Sequence, residues 1–378
     1  MIYLDNAATS RPSATAIKAA NEMFEKLYGN PSSLHKAGHD AEKAVEQARR
    51  FIAEAISAQP EEILFTSGGT EANNLAIIGA ARAHKRSGNR IITSDSEHPS
   101  VLRCFKALED EGFEVVYIPT VEGTINMEKL ANAVDDNTIL ISIMLVNNET
   151  GAINPVHLIR GVCRSKKVSP IIHADAVQAT GKLSYSVSAL NVDLLSMSAH
   201  KFHGIKGAGA LYIKKGINLL PVMYGGGQEK GLRSGTENTP AIAAMGAAIH
   251  EIMPSIKERY KRVSELRKYI TDRLKDLNII VNSPDNGLPY ILNISLPGLK
   301  SETVLHFLES KDIYVSTTSA CSSRKGAESY VLKAMGLSKE RIESAVRVSF
   351  SDDTTLEEAD ILIETLKECI KELKSKSN

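Results

Sequence analysis

The chain of 378 residues carries 45 Lys and Arg against 45 Asp and Glu, so its formal net charge is zero. A neutral chain gives no reason to expect bulk attraction to nucleic acid or to an anionic membrane. Its 43% hydrophobic and 24% charged residues are ordinary for a soluble globular protein. The N-terminal residues lack the basic and apolar regions of a signal peptide, and no apolar run approaches the length of a membrane span. We therefore expect a cytoplasmic protein without nucleic-acid or membrane partners.

Strand-like and helix-like segments alternate through the first two thirds of the chain. Short apolar runs predict strands at 62–66, 90–94, 115–118, 138–146, 171–174, 192–196 and 208–213. Apolar residues at three- and four-residue steps predict helices at 41–56, 72–82, 127–134 and 156–166, and another helix begins at His98. Such alternation predicts an α/β fold with a largely parallel sheet that is covered by helices on both faces.

A glycine turn joins the first of these strands to its helix. The segment Ser67-Gly-Gly-Thr-Glu71 precedes the apolar helix that starts at Ala72. Such a junction presents backbone N–H groups and the positive end of a helix dipole to an anion. It matches neither a P-loop nor a dinucleotide-binding fingerprint. The segment therefore indicates a phosphate site, and a simple helix cap is the alternative.

The last third of the chain has a different character. The segment 224–238 is rich in glycine, and its Arg233, Ser234 and Thr236 could contact a phosphate; a flexible surface loop is the alternative. A long helical stretch follows from 241 to 277, with a break predicted near Pro254. Because the chain is long for one core, we expect a large domain over 16–253 and a small α/β domain made of 1–15 and 254–378.

The four cysteines are too few and too scattered for a disulfide framework or a zinc site. Three of them, Cys104, Cys163 and Cys369, lie in helical patterns and are expected to be small core residues. Cys321 lies in a polar segment with neighbouring cations, which favour the thiolate form. Cys321 is therefore a candidate nucleophile, although an isolated loop cysteine is often only a tolerated residue.

Reactive side chains follow two of the apolar runs. Ser198, His200 and Lys201 come after the strand at 192–196, and Asp175 and Gln178 end the run at 171–174. In open α/β sheets, ligands bind at the carboxyl ends of the strands. A lysine that forms a Schiff base, together with an aspartate that holds a pyridinium nitrogen, is the protein's part of pyridoxal-phosphate chemistry.

A further charged residue, Arg347, lies in the apolar strand Val346–Phe350 near the end of the chain. Apolar neighbours disfavour a charge. An arginine in such a setting often binds a carboxylate through two parallel hydrogen bonds.

Nine motifs, in this order, resemble those of one family along almost the full length of the chain. They are Tyr3–Thr9, Gly29–Ser33, Thr66–Asn74, Ser96–His98, Val146–Gly151, His173–Gln178, Ser198–Lys201, Arg233–Thr236 and Ser319–Cys321. The family is that of the cysteine desulfurases, fold-type-I pyridoxal-phosphate enzymes of the class V aminotransferase group. The resemblance implies a large domain with a mainly parallel seven-stranded sheet flanked by helices, and a small α/β domain.

The resemblance also implies a role for each matching residue. The implied cofactor-binding residues are Gly69, Thr70, His98, Asn148, Asp175, Gln178, Ser198, His200, Lys201 and Thr236, the last from a second subunit. Lys201 would carry the cofactor, and His98 would stack on its ring and act as acid or base. Arg347 would bind the substrate carboxylate, and Asn148 would bind that carboxylate or the phenolic oxygen of the cofactor. Cys321 would attack the substrate sulfur and carry the persulfide.

The segment around Cys321 resembles the housekeeping and nitrogen-fixation branch of that family. This implies L-cysteine as substrate, a homodimer, and a sulfur acceptor that is an iron–sulfur scaffold or a tRNA-thiolation protein. No resident metal is expected, although Cys321 could transiently share an iron–sulfur cluster with a scaffold.

Two alternatives stay open. One is a selenocysteine lyase or another pyridoxal-phosphate-dependent β-lyase, and the other is a non-catalytic sulfur carrier or scaffold-binding protein. The reactive residues disfavour the second.

Overall fold

The structure is a computed structural model that describes residues 1–317 and 328–375. Strands β1 to β15 are, in chain order, Ile2–Tyr3, Ile63–Thr66, Arg90–Ser94, Glu114–Ile118, Thr120–Val121, Thr124–Ile125, Thr138–Ser142, Ile171–Asp175, Leu194–Ser198, Gly209–Ile213, Ile280–Val281, Ile291–Ser295, Ile313–Tyr314, Ser316–Thr317 and Ala345–Ser349. Helices α1 to α13 are Ala14–Glu25, Lys36–Ile56, Gly69–His84, Pro99–Asp110, Met127–Ala133, Val156–Ser165, Val187–Leu190, Thr239–Ile252, Ile256–Leu274, Ser301–Glu309, Tyr330–Ala334, Lys339–Glu343 and Leu356–Ser375.

A seven-stranded sheet with the order β2-β10-β9-β8-β7-β3-β4 forms the centre of the molecule. The pairs β9–β8, β8–β7, β7–β3 and β3–β4 are parallel, whereas β10 is antiparallel to both of its neighbours. The prediction of a largely parallel sheet is therefore confirmed. Parallel neighbours end at the same edge, so the polar residues that follow β8 and β9 are brought together.

The strands are apolar on both faces because helices cover both. Within β2, Leu64 belongs to one buried cluster and Phe65 to the other, and the same alternation holds for Leu194 and Leu195 in β9. The predicted strand over 138–146 ends as a regular strand at Ser142. The chain nevertheless stays beside β8 beyond that point, because backbone N–H groups after Ser142 still donate to carbonyls of β8.

A second, four-stranded sheet has the order β11-β12-β15-β14 and is antiparallel throughout. The N-terminal strand β1 pairs in parallel with β13. The N–H of Ala7 then donates to Ser349 Oγ on β15 at 2.9 Å. The first residues of the chain thus run along the second sheet toward the edge of the first sheet.

The long helical stretch breaks where proline predicts it. Helix α8 ends at Ile252, a short 3-10 turn holds Pro254, and α9 starts at Ile256. The domain boundary after residue 253 stays a prediction. Within the described part of the chain, none of the helices combines the length and apolar character needed to cross a membrane.

Candidate active site

The edge where β8 and β9 end holds Asp175 and Lys201, the two residues for which the sequence predicts pyridoxal-phosphate chemistry. In the register of these strands Asp175 lies beside Ser196. Lys201 follows β9 in a single 3-10 turn, Ala199–Lys201. The carboxylate and the lysine therefore reach the same edge of the sheet.

The N-terminal segment lies directly over this edge. Lys201 Nζ donates to the carbonyl oxygens of Ala7 at 2.7 Å and Ala8 at 2.8 Å. Gln178 Nε2 donates to the same Ala7 oxygen at 3.0 Å. The shared acceptor brings the amine of Lys201 and the amide of Gln178 close together, in the arrangement expected of two groups that serve one ligand.

A chain of buried hydrogen bonds joins Asp175 to His98. Asn73 Nδ2 on α3 donates to Asp175 Oδ2 at 2.7 Å and to Ser100 Oγ at 2.8 Å. The Ser100 hydroxyl lies 2.8 Å from His98 Nδ1. The other oxygen of Asp175 accepts from the N–H of Val177 at 2.9 Å. Asp175 is thus held in place by N–H donors on both of its oxygens.

The protonation of His98 follows from its position as the N-cap of α4. Its Nδ1 accepts a hydrogen bond from the N–H of Ser100 at 3.1 Å, so a neutral ring carries its proton on Nε2. Burial lowers the pKa of His98, Asp175 opposes this shift, and the charge of Lys201 adds to it. A neutral imidazole with Nε2–H is the form that this site favours.

An anion-binding corner lies beside Lys201, at the N-terminus of α3. A Cβ built on Gly69 would come within 2.7 Å of Val177 Cγ2, so this turn has no space for a side chain. Ser198 Oγ lies close by, 3.8 Å from the Cβ that Gly68 would have. Because the first turn of a helix leaves backbone N–H groups without helical partners, this corner can receive an anion.

His200 and Thr70 belong to the same region. His200 Nδ1 lies 3.2 Å from Thr9 Oγ1. Burial, together with the charges of Lys201 and Lys206, lowers the pKa of His200 to about 4. The Thr70 side chain is exposed near the start of α3. His200 is therefore expected to contribute hydrogen bonding rather than charge.

A second group of residues surrounds Arg347. Its two terminal nitrogens donate to the carbonyl oxygen of Asn148 at 3.0 Å and to Asp5 Oδ1 at 2.8 Å. Arg347 Nε and Asn148 Oδ1 are buried, and neither atom has a hydrogen-bond partner among residues 1–317 and 328–375. A buried donor and a buried acceptor without partners are costly unless a ligand satisfies them.

Two buried glutamates border the site and were not singled out from the sequence. Burial raises the pKa of Glu97 to about 8, although Ser94 and the N–H of Met144 both donate to it. Burial also raises the pKa of Glu149 to about 7, and Ser329 donates to its carboxylate at 2.5 Å. Each is adjacent in sequence to a predicted site residue, His98 or Asn148. That proximity is the only feature of the sequence that points to them.

Of the predicted site residues that the structure describes, Thr236 makes no hydrogen bond with the groups named above. Thr236 is exposed, in a loop that Arg233 ties to Glu71 through an ion pair of 2.8 Å. Cys321 lies outside the described residues. The other three cysteines are buried on α4, α6 and α13, as predicted. Burial raises the pKa of each of their thiols, so none of the three is a ready nucleophile.

Comparison with known proteins gives similarity over almost the whole chain. Residues 2–362 match the aminotransferase class-V family. A cysteine desulfurase IscS from Clostridium botulinum is 40% identical over 384 residues, which cover 100% of this chain and 96% of the relative.

Solved structures agree with this similarity. One described as a NifS-like protein has a TM-score of 0.93 and 36% identity, and the match covers 98% of this chain and 99% of that one. Another, described as SspA in complex with cysteine, has a TM-score of 0.82 and 34% identity, with 94% of this chain and 100% of that one covered.

The raised pKa of Glu97 leads to a prediction about stability. Because this pKa is higher in the folded than in the unfolded state, the folded state should lose stability as the pH rises from about 4.5 toward 8. Glu97→Gln mimics the protonated acid, so between pH 5 and pH 8 it should gain about 2–4 kcal/mol relative to the unchanged protein. Urea unfolding across this pH range, with the exposed Glu54→Gln as control, measures the difference. Parallel pH profiles for Glu97→Gln and the unchanged protein would contradict a buried neutral carboxyl.

Proposed function

Because the chain belongs to the class-V aminotransferase family, we propose that it is a pyridoxal-phosphate-dependent cysteine desulfurase, which removes sulfur from L-cysteine and leaves L-alanine. Membership of the family confirms the resemblance that the motifs indicated. The observation that carries the proposal is the convergence of Lys201, Gln178 and Asp175 at one sheet edge. The relatives named as cysteine desulfurases supply the reaction.

The residues at this edge fit pyridoxal phosphate. The backbone N–H groups at the start of α3 would hold the phosphate, together with the side chains of Thr70, Ser198 and His200. Lys201 would hold the cofactor covalently, and His98 would lie against its ring. The bound cofactor would supply an electron sink that weakens bonds at the α- and β-carbons of the substrate.

The side chains around the cofactor would orient its ring and stabilise its charges. Asp175, fixed by Asn73 and the N–H of Val177, would hold the pyridinium proton. Gln178 would donate to the phenolic oxygen. His98, kept neutral by burial with its proton on Nε2, would donate that proton and take it back.

The carboxylate of L-cysteine would bind at Arg347 and Asn148. Arg347 Nε is a buried donor without a partner in the described part of the chain, and a substrate carboxylate would satisfy it. Asp5 accepts a hydrogen bond from another nitrogen of this guanidinium at 2.8 Å and so fixes its orientation. The cysteine bound in the SspA structure belongs to a relative with the same fold and agrees with this substrate.

Cys321 would accept the sulfur. Its thiolate would attack the substrate sulfur while the carbon–sulfur bond breaks, and the carbon would take a proton, so that L-alanine and a Cys321 persulfide result. The persulfide would then pass to an iron–sulfur scaffold or a tRNA-thiolation protein. A β-lyase that releases its product freely, including a selenocysteine lyase, would need no such thiol and is not favoured. A non-catalytic carrier would have no use for Lys201, Asp175 and His98.

We further propose a homodimer in which Thr236 reaches the phosphate of the partner's site. The support is an exposed apolar group formed by Phe24 at the end of α1 and by Tyr28 and Leu34 in the segment between α1 and α2, together with the exposure of Thr236 itself. Oligomers of one chain are usually two-fold symmetric.

The first test of this function replaces the lysine. Lys201→Ala should abolish both the visible absorbance of the purified protein with pyridoxal phosphate and all alanine formation. The exposed Lys215→Ala should keep both, because its side chain lies away from the sheet edge. Absorbance spectra and an alanine assay provide the measurement. An unchanged visible spectrum in Lys201→Ala would overturn the cofactor assignment.

The second test separates cofactor chemistry from sulfur transfer. Cys321→Ser should still change its visible spectrum when cysteine is added, since binding needs no protein thiol, but it should form neither alanine nor a persulfide. Mass spectrometry after one turnover without reductant should find the added sulfur on the peptide that contains Cys321. Variants with alanine at Cys104, Cys163 or Cys369 serve as controls and should keep sulfur transfer. Added sulfur on any other peptide would show that Cys321 is not the nucleophile.

The third test concerns the dimer. Sedimentation should give twice the 41.0 kDa mass of one chain. Leu34→Asp should shift the protein toward the monomer and weaken cofactor retention, because it introduces a charge into the apolar group. The matched control is Leu356→Asp, at an exposed leucine at the start of α13. A Leu34→Asp variant that remains dimeric would show that this surface is not part of the interface. If the unchanged protein is monomeric, the proposed dimer itself is contradicted.

A further inference from the structure

Lys182 is a buried lysine for which the proposed chemistry has no role so far. It follows β8 in the turn after Gln178, and only 6% of its surface is exposed. Its Nζ lies 3.3 Å from Gln178 Oε1. None of the ion pairs found among the described residues includes Lys182. Lysines are almost never fully buried without a partner, so this position calls for an explanation.

The charges around Lys182 are mainly positive. Burial, with the charges of Lys201 and Arg347, lowers the pKa of Lys182 to about 7. Its charge in turn contributes to the lowered pKa values of His200 and His203, for which burial is the main cause. The pKa of the Lys182 amine therefore depends on the charges of the active-site cations, and its own charge affects their neighbours.

A small cavity of about 10 Å³ is lined by both Lys182 and Lys201. Asp352, the carboxylate on its wall, is already paired with Arg259 and with His203 at 3.2 Å. Asp352 is therefore engaged by other cations. Among the described residues, the hydrogen bond of the Lys182 amine is the one to Gln178.

The two contacts of Gln178 determine which way its amide points. The Ala7 carbonyl can only accept, so the end that faces it at 3.0 Å must be the NH₂ group. The Lys182 nitrogen donates to the other end at 3.3 Å, so that end is the oxygen. A flipped amide would set oxygen against oxygen at Ala7 and would leave Lys182 without this acceptor.

We propose that Lys182 is a positioning residue that fixes the orientation of the Gln178 amide and so keeps one Gln178 N–H available to the phenolic oxygen of the cofactor. The inference rests on the proposed function, since it gives Gln178 the same ligand. One N–H of the amide is used by the Ala7 carbonyl, to which Lys201 Nζ also donates. The other N–H remains for a ligand held at Lys201.

Loss of this arrangement should be visible in a pH titration of the bound cofactor. A donor at the phenolic oxygen stabilises its negative charge and makes the neighbouring lysine nitrogen less basic. In Lys182→Met the amide is no longer held, so the midpoint of the visible absorbance titration should rise by about one pH unit, the effect expected from one hydrogen bond. Lys182→Arg keeps a donor and should stay near the unchanged protein, and the exposed Lys215→Met is the control.

A double variant distinguishes positioning from a direct effect of charge. If Lys182 acts through Gln178, then Lys182→Met should cause no further shift in a Gln178→Leu background. A shift of full size in that background, or no shift in Lys182→Met alone, would overturn the proposal. Thermal unfolding checks the fold, and Lys182→Leu replaces Lys182→Met if the latter does not accumulate. If the unchanged protein with pyridoxal phosphate has no visible absorbance, the proposed function itself fails, and this inference falls with it.

Discussion

The carbonyl oxygen of Ala7 is the point on which the site depends, because it accepts hydrogen bonds from both Lys201 and Gln178. A carbonyl can serve two donors only if its own peptide is held in place. The hydrogen bond from the N–H of Ala7 to Ser349 on β15 provides that hold, and pairing of β1 with β13 supports it. The reactive edge of the large sheet is therefore completed by the second sheet.

Burial sets the charge states of this edge. It raises the pKa values of Glu97 and Glu149 toward neutrality and lowers those of His98, His200 and Lys182. Groups that would otherwise be charged are thus pushed toward their neutral forms. N–H groups of Asn73 and Val177 donate to the two oxygens of Asp175 and fix its orientation. The polar groups of the site are thus held in place before a ligand binds, as preorganised electrostatic sites require.

Apolar periodicity was sufficient to predict the alternating strands and helices and the edge at which Asp175 and Lys201 meet. It could not predict that β10 runs antiparallel, because strand direction depends on pairing with β2 and β9. Asn73 was also missed, since one polar residue in an apolar helix gives no sign of the partner that it meets across the fold. Asp5 and Lys182 were missed for the same reason: their contacts depend on tertiary structure.

The hydrogen bond between Ala7 and Ser349 joins residues that are 342 positions apart. During synthesis on a ribosome, the first residues of the chain emerge long before β13 and β15 are made. The segment of β1 therefore has no strand partner while the central sheet assembles. Domains tend to fold in order as they emerge, but this segment cannot follow that order. If Lys201 holds the cofactor as proposed, cofactor capture should therefore be among the last events in the maturation of a newly made chain.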